Sequence, residues 1–236
     1  MKFEFINRYP SLYLKKSRTV VVADIHIGKE LKLLESGINF LNASENMADV
    51  LLKICKDKKS KSLIIIGDLK DSILYPDKKE YNLIKAFFDR FEGFEIRVAK
   101  GNHDSHLEEI FKLLRINAII EKEIFIEDAV LLHGNALPSE EAMNKKIMFS
   151  AHAHAIIEKN NNERVWLKAP IGFGAMKYYK QFNPKEKLIL VPHFNNILSG
   201  LDVSRIYNFM PIFRNNIFDF KKISIFDLEG KRKNLH

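Results

Sequence analysis

The sequence of 236 residues contains a single cysteine, Cys55, so no intrachain disulfide can form. Cys55 lies among Leu51, Leu52 and Ile54 in a predicted helix, where we expect it to act as a small buried hydrophobic residue. The chain also lacks any run of about 18 apolar residues, so we expect no membrane-spanning helix. The first eight residues include an acid and an arginine where a signal peptide would have its apolar core. We therefore expect a cytoplasmic protein.

The composition and size are those of an ordinary globular protein. Hydrophobic residues make up 46% of the chain and charged residues 29%, close to the averages for folded domains. The sequence shows no internal repeat and no long linker, and its length suits one domain with a substantial core. We expect a single domain over residues 1–236.

Basic residues are in excess, with a formal charge of +8 and a pI near 9.3. A basic surface attracts polyanions of any sequence, which favours phosphate-bearing partners. The lysine clusters at residues 56–61, 78–79 and 231–233 contain no interleaved aromatic residues, however, and each alone is more typical of a solvated surface. The charge leaves a nucleic-acid partner open without identifying one.

Four largely apolar segments are predicted to be buried strands, at residues 19–22, 63–66, 95–98 and 129–132. Helical patterns are present at residues 44–56, 78–91 and 107–114. Ser44 is the predicted cap of the first helix. Because strands and helices alternate up to residue 116, we expect a mostly parallel first sheet.

Beyond residue 117 the pattern changes to closely spaced short strands. They are predicted at residues 118–120, 124–126, 129–132, 147–150, 164–167, 188–191 and 223–226. Such spacing is typical of antiparallel sheets, so we expect a second sheet packed on the first. Residues 160–162 are predicted to form a turn and residues 169–174 a loop. The predicted fold class is α/β.

Side chains that bind divalent metals follow the ends of five predicted strands. In chain order they are Asp24 and His26, Asp68 and Asp71, Asn102 and His103, His133, and His152 and His154. Each motif alone is common in structural turns. Ligands collect beyond the carboxyl ends of strands in α/β sheets, however, so the set predicts one metal site. Its nitrogen and oxygen donors suit Mn²⁺, Fe²⁺ or Zn²⁺.

Taken in order, these segments resemble the motifs of the calcineurin-like metallophosphoesterase superfamily. The resemblance spans residues 24–154 and consists of Asp-x-His, Gly-Asp-x-x-Asp, Gly-Asn-His-Asp, His and His-x-His. It implies a sandwich of two mixed β-sheets flanked by helices. Residues 23–30 and the chain length are also similar to small archaeal and bacterial phosphoesterases related to the exonuclease subunit of repair complexes. This narrower resemblance leaves repair-associated protein partners open.

The resemblance also implies two divalent metal ions, with Mn²⁺ favoured and Fe²⁺, Zn²⁺ or Ni²⁺ as alternatives. One ion would be held by Asp24, His26, Asp68 and His154, and the other by Asp68, Asn102, His133 and His152. Asp68 would bridge the ions, which would share a hydroxide that attacks phosphorus. His103 would stabilise the transition state or protonate the leaving group. Asp71 would pair with His103 and fix its tautomer.

Other residues near the motifs have different expected roles. Asp104 directly precedes an amphipathic segment and is predicted to cap that helix. Ala151 stands where the family usually has glycine, which ligation tolerates if the φ angle is negative. Three histidines, His106, His193 and His236, have no assigned role, and a solvated position is favoured for His106.

We therefore expect a dinuclear metal-dependent phosphoesterase that acts on phosphodiesters, with single-stranded nucleic acid as a candidate substrate. The alternatives are a phosphomonoesterase and a nucleic-acid-binding scaffold with a silent metal site. His103 and Asp71 argue against a silent site, because neither is needed merely to hold metal. The sequence contains no helicase, ATPase or ligase motif.

Overall fold

The first sheet positions the amino-terminal half of the ligand loops. The computed structural model describes residues 1–40 and 42–234. In this part of the chain the first sheet has six strands: β1 (Phe3–Phe5), β2 (Leu12–Leu14), β3 (Thr19–Ala23), β4 (Ser62–Ile66), β5 (Glu95–Ala99) and β6 (Ile119–Glu121). They lie side by side in sequence order, antiparallel from β1 to β3 and parallel from β3 to β6. Ala23 pairs with Ile66 and Ile66 with Ala99, so β3, β4 and β5 end at one edge.

Four helices accompany this sheet: α1 (Lys29–Glu35), α2 (Ala43–Asp57), α3 (Lys78–Asp89) and α4 (Leu107–Leu114). Leu51, Phe87 and Phe111 from the last three helices form one buried cluster with Val22 and Ile65 of the sheet. Burial of this apolar surface stabilises the helices, which individually are short. Within the described residues, no helix is long and apolar enough to cross a membrane.

In the described part of the chain, ten further strands make up the other two sheets: β7 (Ile124–Ile126), β8 (Ala129–Leu131), β9 (Ile147–Ser150), β10 (Ala155–Ile157), β11 (Glu163–Arg164), β12 (Trp166–Pro170), β13 (Lys187–Leu190), β14 (Leu201–Asp202), β15 (Ser224–Phe226) and β16 (Arg232–Lys233). The second sheet has the order β16, β15, β12, β13, β9, β8, β7, and a small third sheet has the order β11, β10, β14. In the second sheet β8, β9 and β13 are parallel neighbours, while the outer pairs are antiparallel. Three short helices follow β12 and β14: α5 (Ala175–Tyr178), α6 (Val203–Phe209) and α7 (Pro211–Arg214).

Alternation along the strands divides the core into layers. In the first sheet Val22 packs against the helices, whereas Val21 packs toward the second sheet. In the second sheet Leu131 faces the first sheet, whereas Val130 packs in a cluster with Phe213 of α7. The order of layers is therefore helices, sheet, sheet, helices. The predicted α/β sandwich of two mixed sheets flanked by helices is confirmed.

Several local predictions were wrong. The strand predicted at residues 118–120 joins the first sheet beside β5, not the second sheet. The strand predicted at 164–167 is divided between β11 and β12, and the predicted loop at 169–174 overlaps β12 and ends where α5 begins. Ser44 lies inside α2, whose cap is Asn42, and the Ser44 hydroxyl instead donates to Glu30. These outcomes depend on contacts between distant segments, which local patterns do not encode.

One buried acid, Glu186, lies outside the ligand loops. Glu186 precedes β13, is 1% exposed, and neither of its carboxylate oxygens has a hydrogen-bond partner within the described part of the chain. Burial raises the pKa of Glu186 from 4.5 to about 9. The folded protein therefore keeps a proton on Glu186 at neutral pH, whereas the unfolded chain loses it above pH 4.5. Because the unfolded state binds fewer protons in this range, stability falls as the pH rises from 4.5 toward 9.

We predict that Glu186→Gln stabilises the protein at pH 7.5 by up to about 4 kcal/mol, because glutamine carries no proton that unfolding would release. The gain should shrink toward zero near pH 4.5, where the acid is protonated in both states. Urea unfolding at both pH values, with chelator present, measures the difference. Glu92→Gln, at an exposed position, is the control and should change stability little. An equal effect of Glu186→Gln at both pH values would contradict the assignment.

Candidate metal centre

The ligand loops begin where β3, β4, β5, β8 and β9 end, and their backbone is unusual. Five of the seven predicted ligand residues have positive φ angles: Asp24 (49°), His26 (38°), Asp68 (42°), His152 (73°) and His154 (46°). Residues other than glycine adopt this conformation rarely. Such strain persists only where the surrounding structure enforces it, and it concentrates at functional sites.

Gly67 lets two of these loops approach each other. Its φ is +68°, and a Cβ atom placed on it would lie 2.0 Å from Nδ1 of His133. Any side chain here would displace His133, which comes from the other sheet. The absence of a side chain at residue 67 therefore brings ligands of both sheets together.

The first group of potential ligands consists of Asp24, His26, Asp68 and His154, whose donor atoms lie within 4.8 Å of one another. Nε2 of His26 is 3.5 Å from Oδ2 of Asp68, and Nε2 of His154 is 3.6 Å from Oδ2 of Asp24. These are the four residues predicted to hold one ion. The group can accommodate a single metal ion.

The second group consists of Asp68, His133 and His152. Nε2 of His133 lies 3.3 Å from Oδ2 of Asp68 and 3.0 Å from Nδ1 of His152. Asn102 adds an amide oxygen, Oδ1, 3.0 Å from the same Nε2 atom. The structure thus brings together the four residues predicted for the other ion, and Asp68 belongs to both groups.

The donor atoms fit a divalent metal because several of them are buried without a partner. Within the described residues these atoms include Asp24 Oδ1, His26 Nε2 and His154 Nε2. Unpaired buried polar atoms cost free energy unless something satisfies them. A positive ion at each group would satisfy them, and carboxylate, imidazole and amide donors match Mn²⁺, Fe²⁺, Zn²⁺ or Ni²⁺.

Two histidines of the centre are kept neutral by burial, whereas the carboxylates around His133 raise its pKa despite its burial. Burial lowers the pKa of His152 to about 4 and that of His154 to about 3. Burial also raises the pKa of Asp24 to about 7, and the nearby charge of Asp68 adds to this effect. In Asp68 burial acts in the same direction, but the hydrogen bond and charge of His133 outweigh it and lower the pKa. Asp68 is therefore the ionised carboxylate of the centre.

His103 lies at the edge of this centre and joins neither group of four. Its ring centroid is 4.8 Å from that of His26, and its backbone N–H donates to Oδ1 of Asp68 at 2.9 Å. Nδ1 of His103 is 2.6 Å from the backbone carbonyl of Asp71. Because a carbonyl oxygen can only accept, Nδ1 carries the proton, and Nε2 is the atom left to act on a substrate.

The carboxylate of Asp71 has a different neighbour from the one predicted. It was expected to pair with His103, but that hydrogen bond uses the Asp71 backbone, and the carboxylate oxygen Oδ1 lies 3.3 Å from Nδ1 of His26. Oδ2 of Asp71 lies 2.7 Å from the ammonium of Lys32. A carboxylate on the second nitrogen of a coordinating histidine fixes its tautomer and orientation. The geometry therefore connects the Asp71 carboxylate to metal binding.

Asp104 and Lys70 hold the loops in place. Asp104 does not cap α4, whose cap is His106; its carboxylate accepts from the N–H groups of Gly101 and Leu69, both within 2.9 Å. Lys70 is fully buried and donates to the carbonyls of Leu74 and His103, each at 2.6 Å. Neither role was predicted. The position of Lys70 inside the Gly-Asp-x-x-Asp motif was the available signal.

The remaining histidines are divided between surface and core. His106 stacks on Tyr75, with ring centroids 4.1 Å apart, at a partly exposed position. His193 is buried, and its ring centroid lies 5.2 Å from that of His154. His236 lies outside the described residues. Ala151 keeps a negative φ angle, so the missing glycine does not strain the His-x-His segment.

Comparisons with known proteins agree with this architecture. The model of the calcineurin-like phosphoesterase family matches residues 17–222. The crystal structure of the nuclease MPE from Pseudomonas putida is similar, with a TM-score of 0.61 and 16% sequence identity. That similarity covers 93% of this chain and 89% of the Pseudomonas chain. A search of curated proteins gave no match.

We predict that Asp68→Asn weakens both metal ions together, because only Asp68 belongs to both ligand groups. His26→Ala should weaken chiefly one ion. Titration with Mn²⁺, combined with metal analysis of dialysed protein, gives the stoichiometry. His106→Ala, a histidine outside both groups, serves as the control and should retain two ions. Binding of two ions by Asp68→Asn with wild-type affinity would contradict the shared carboxylate.

We predict that substitution of His103 affects turnover and that substitution of Asp71 affects metal affinity. His103→Ala should keep both ions and lower turnover by about 10² to 10⁴. Asp71→Asn should lower metal affinity by about 10- to 100-fold, because it removes the carboxylate that orients His26. Metal titration and kinetics on the same preparations separate the two effects. If Asp71→Asn bound metal normally, the contact with His26 would not matter for coordination.

Proposed function

Because the chain belongs to the calcineurin-like phosphoesterase family and is a metal-dependent phosphoesterase, we propose that it cleaves phosphodiesters with two divalent ions held in the paired ligand groups. The observation that carries this proposal is the position of Asp68. Its Oδ2 atom lies 3.5 Å from Nε2 of His26 in one group and 3.3 Å from Nε2 of His133 in the other. A carboxylate so placed can bridge two ions.

Two ions bound there would supply a nucleophile at neutral pH and neutralise charge on the phosphate. We propose Mn²⁺ as the ion used, with Fe²⁺, Zn²⁺ or Ni²⁺ as alternatives that the same donors accept. No cysteine is available as a soft ligand, because the single thiol of Cys55 is buried in α2. The nitrogen and oxygen donors therefore favour ions of intermediate hardness.

The protein's own catalytic group would be His103. The Nδ1–H group of His103 donates to the carbonyl of Asp71, so Nε2 is the nitrogen that faces the substrate. When Nε2 carries the second proton of the imidazolium, it can donate that proton to the phosphate or its leaving oxygen. Lys70 and Asp104 fix the backbone of this loop, so the ring is held by buried contacts on both sides. Such positioning lowers the entropic cost of the reaction.

The exposure of the centre favours a chain-like substrate. Asn102 is exposed, and His103, His152 and His154 are partly exposed, so the donor atoms meet solvent along one rim. Lys29 and Lys32 of α1 lie beside that rim, 3.8 Å and 2.7 Å from the Asp71 carboxylate. An open rim with basic side chains suits a diester with groups on both sides of the phosphate. We choose nucleic acid as a test substrate because the similarly folded Pseudomonas protein is a nuclease.

We predict that the Mn²⁺-loaded protein hydrolyses a simple phosphodiester faster than the matching monoester. Single-stranded DNA and RNA should be cleaved in preference to intact duplex, and binding should weaken about 20-fold between roughly 50 and 200 mM salt if about three phosphates are contacted. Parallel assays of the four substrates provide the test, with Asp68→Asn as the control for contaminating nucleases. Faster monoester hydrolysis without nucleic-acid binding at low salt would instead make the protein a phosphatase.

A further inference from the structure

Phe209 is an exposed aromatic residue in direct contact with the metal centre. It is the last residue of α6, and its ring stacks on that of His152 with centroids 4.7 Å apart and an angle of 24° between the planes. The side chain nevertheless remains 46% exposed. One face of the ring is therefore covered by a candidate ligand, while much of the rest is open to solvent.

The ring is held on a rigid corner of the fold. Met210, which follows it, is fully buried, and Pro211 begins α7 directly afterwards. Gly134, next to His133, leaves room for Met210 because it has no side chain. Its φ is +105°, and a Cβ atom on it would lie 3.0 Å from Cε of Met210. The same close approach that brings Met210 to the ligand loops places Phe209 on His152. A pre-positioned ring loses little entropy when a partner stacks on it.

Support of His152 alone does not require an exposed ring. A buried aliphatic side chain would pack against the imidazole without leaving apolar surface in water, whereas Phe209 keeps 46% of its surface exposed and available to a ligand. A phosphate at the metal centre has a nucleoside on each side. Aromatic side chains bind unpaired bases by stacking, whatever the base, because every base has a π-face.

We propose that Phe209 is the stacking platform for the nucleobase adjacent to the scissile phosphate. This inference rests on the proposed phosphodiesterase function and specifies its substrate as unpaired nucleic acid. A base in a duplex is already stacked between its neighbours and would have to leave them at a cost. Stacking on Phe209 therefore selects single strands and tolerates any sequence.

The test pairs a change in the protein with a change in the substrate. The probe is a thymidine oligomer with phosphorothioate linkages except for one central phosphodiester, with an abasic residue on the 5′ side, the 3′ side or neither. For the wild type with Mn²⁺, removal of the stacked base should lower kcat/KM about ten-fold for one of the two abasic probes. Phe209→Leu, which keeps apolar packing on His152, should lose that discrimination.

Tyr207→Ala is the matched control. Tyr207 lies on the same helix and is 43% exposed, but its ring packs near Phe220, with centroids 5.8 Å apart, and not on His152. This variant should discriminate between intact and abasic probes as the wild type does. Loss of discrimination in both variants would assign the effect to α6 in general and overturn the role of Phe209.

A second readout needs neither metal nor turnover. The chain has one tryptophan, Trp166, which is 1% exposed, so Phe209→Trp adds a tryptophan at an exposed position. Its fluorescence should be quenched by the intact probe in the presence of chelator and much less by the abasic probe. Equal quenching by both probes, or none, would overturn the stacking platform.

The outcomes separate this inference from the proposed function. If the wild type cleaves neither the oligomer nor a simple diester, the proposed function fails. If the wild type cleaves intact and abasic probes at equal rates, the phosphodiesterase stands and only the role of Phe209 is refuted. Selective loss of discrimination in Phe209→Leu, with recovery in Phe209→Trp, supports both.

Discussion

The structure around the candidate metal centre depends on one buried carboxylate. Asp68 lies between His26 and His133, which come from different sheets, and its Oδ1 atom accepts the backbone N–H of His103. The side chain of Asp68 is only 4% exposed, so water does not screen these contacts. Its negative charge attracts His133 and, adding to the effect of burial, raises the pKa of the second acid in this small volume, Asp24. The loops of both sheets are arranged around this group.

The two sheets supply the force that holds these loops in strained conformations. The inner core between them contains fully buried residues such as Val21, Leu131 and Phe149, and burial of such side chains contributes about 1.5 to 3 kcal/mol each. Positive φ angles at the ligands cost about 1 to 3 kcal/mol each. The strain is therefore tolerable only because the strands before each loop are fixed by the core. A rigid scaffold and strained loops are complementary parts of one site.

Around the donor atoms lies a second set of contacts that decides how the centre would act. The Asp71 carboxylate lies beside His26, and the Asp71 carbonyl accepts from His103, so one residue contacts both a candidate ligand and the proposed catalytic histidine. Glu80 accepts the backbone N–H of Asp71 at 3.0 Å and holds this residue from α3. Phe209 stacks on His152. His103 and Phe209 thus each contact a candidate ligand residue of the centre, His26 and His152 respectively.

The sequence alone determined the fold class and predicted which residues would lie together at the candidate metal centre, because metal-binding side chains follow apolar strand segments and parallel strands end at a common edge. That rule brought Asp24, Asp68 and His152 together without any knowledge of contacts. The tertiary structure alone decided that β6 belongs to the first sheet, that the Asp71 carboxylate faces His26, and that Phe209 stacks on His152. These features depend on which segments, distant in sequence, pack against each other. No local periodicity or spacing records such packing, since it is set by the closure of the whole core.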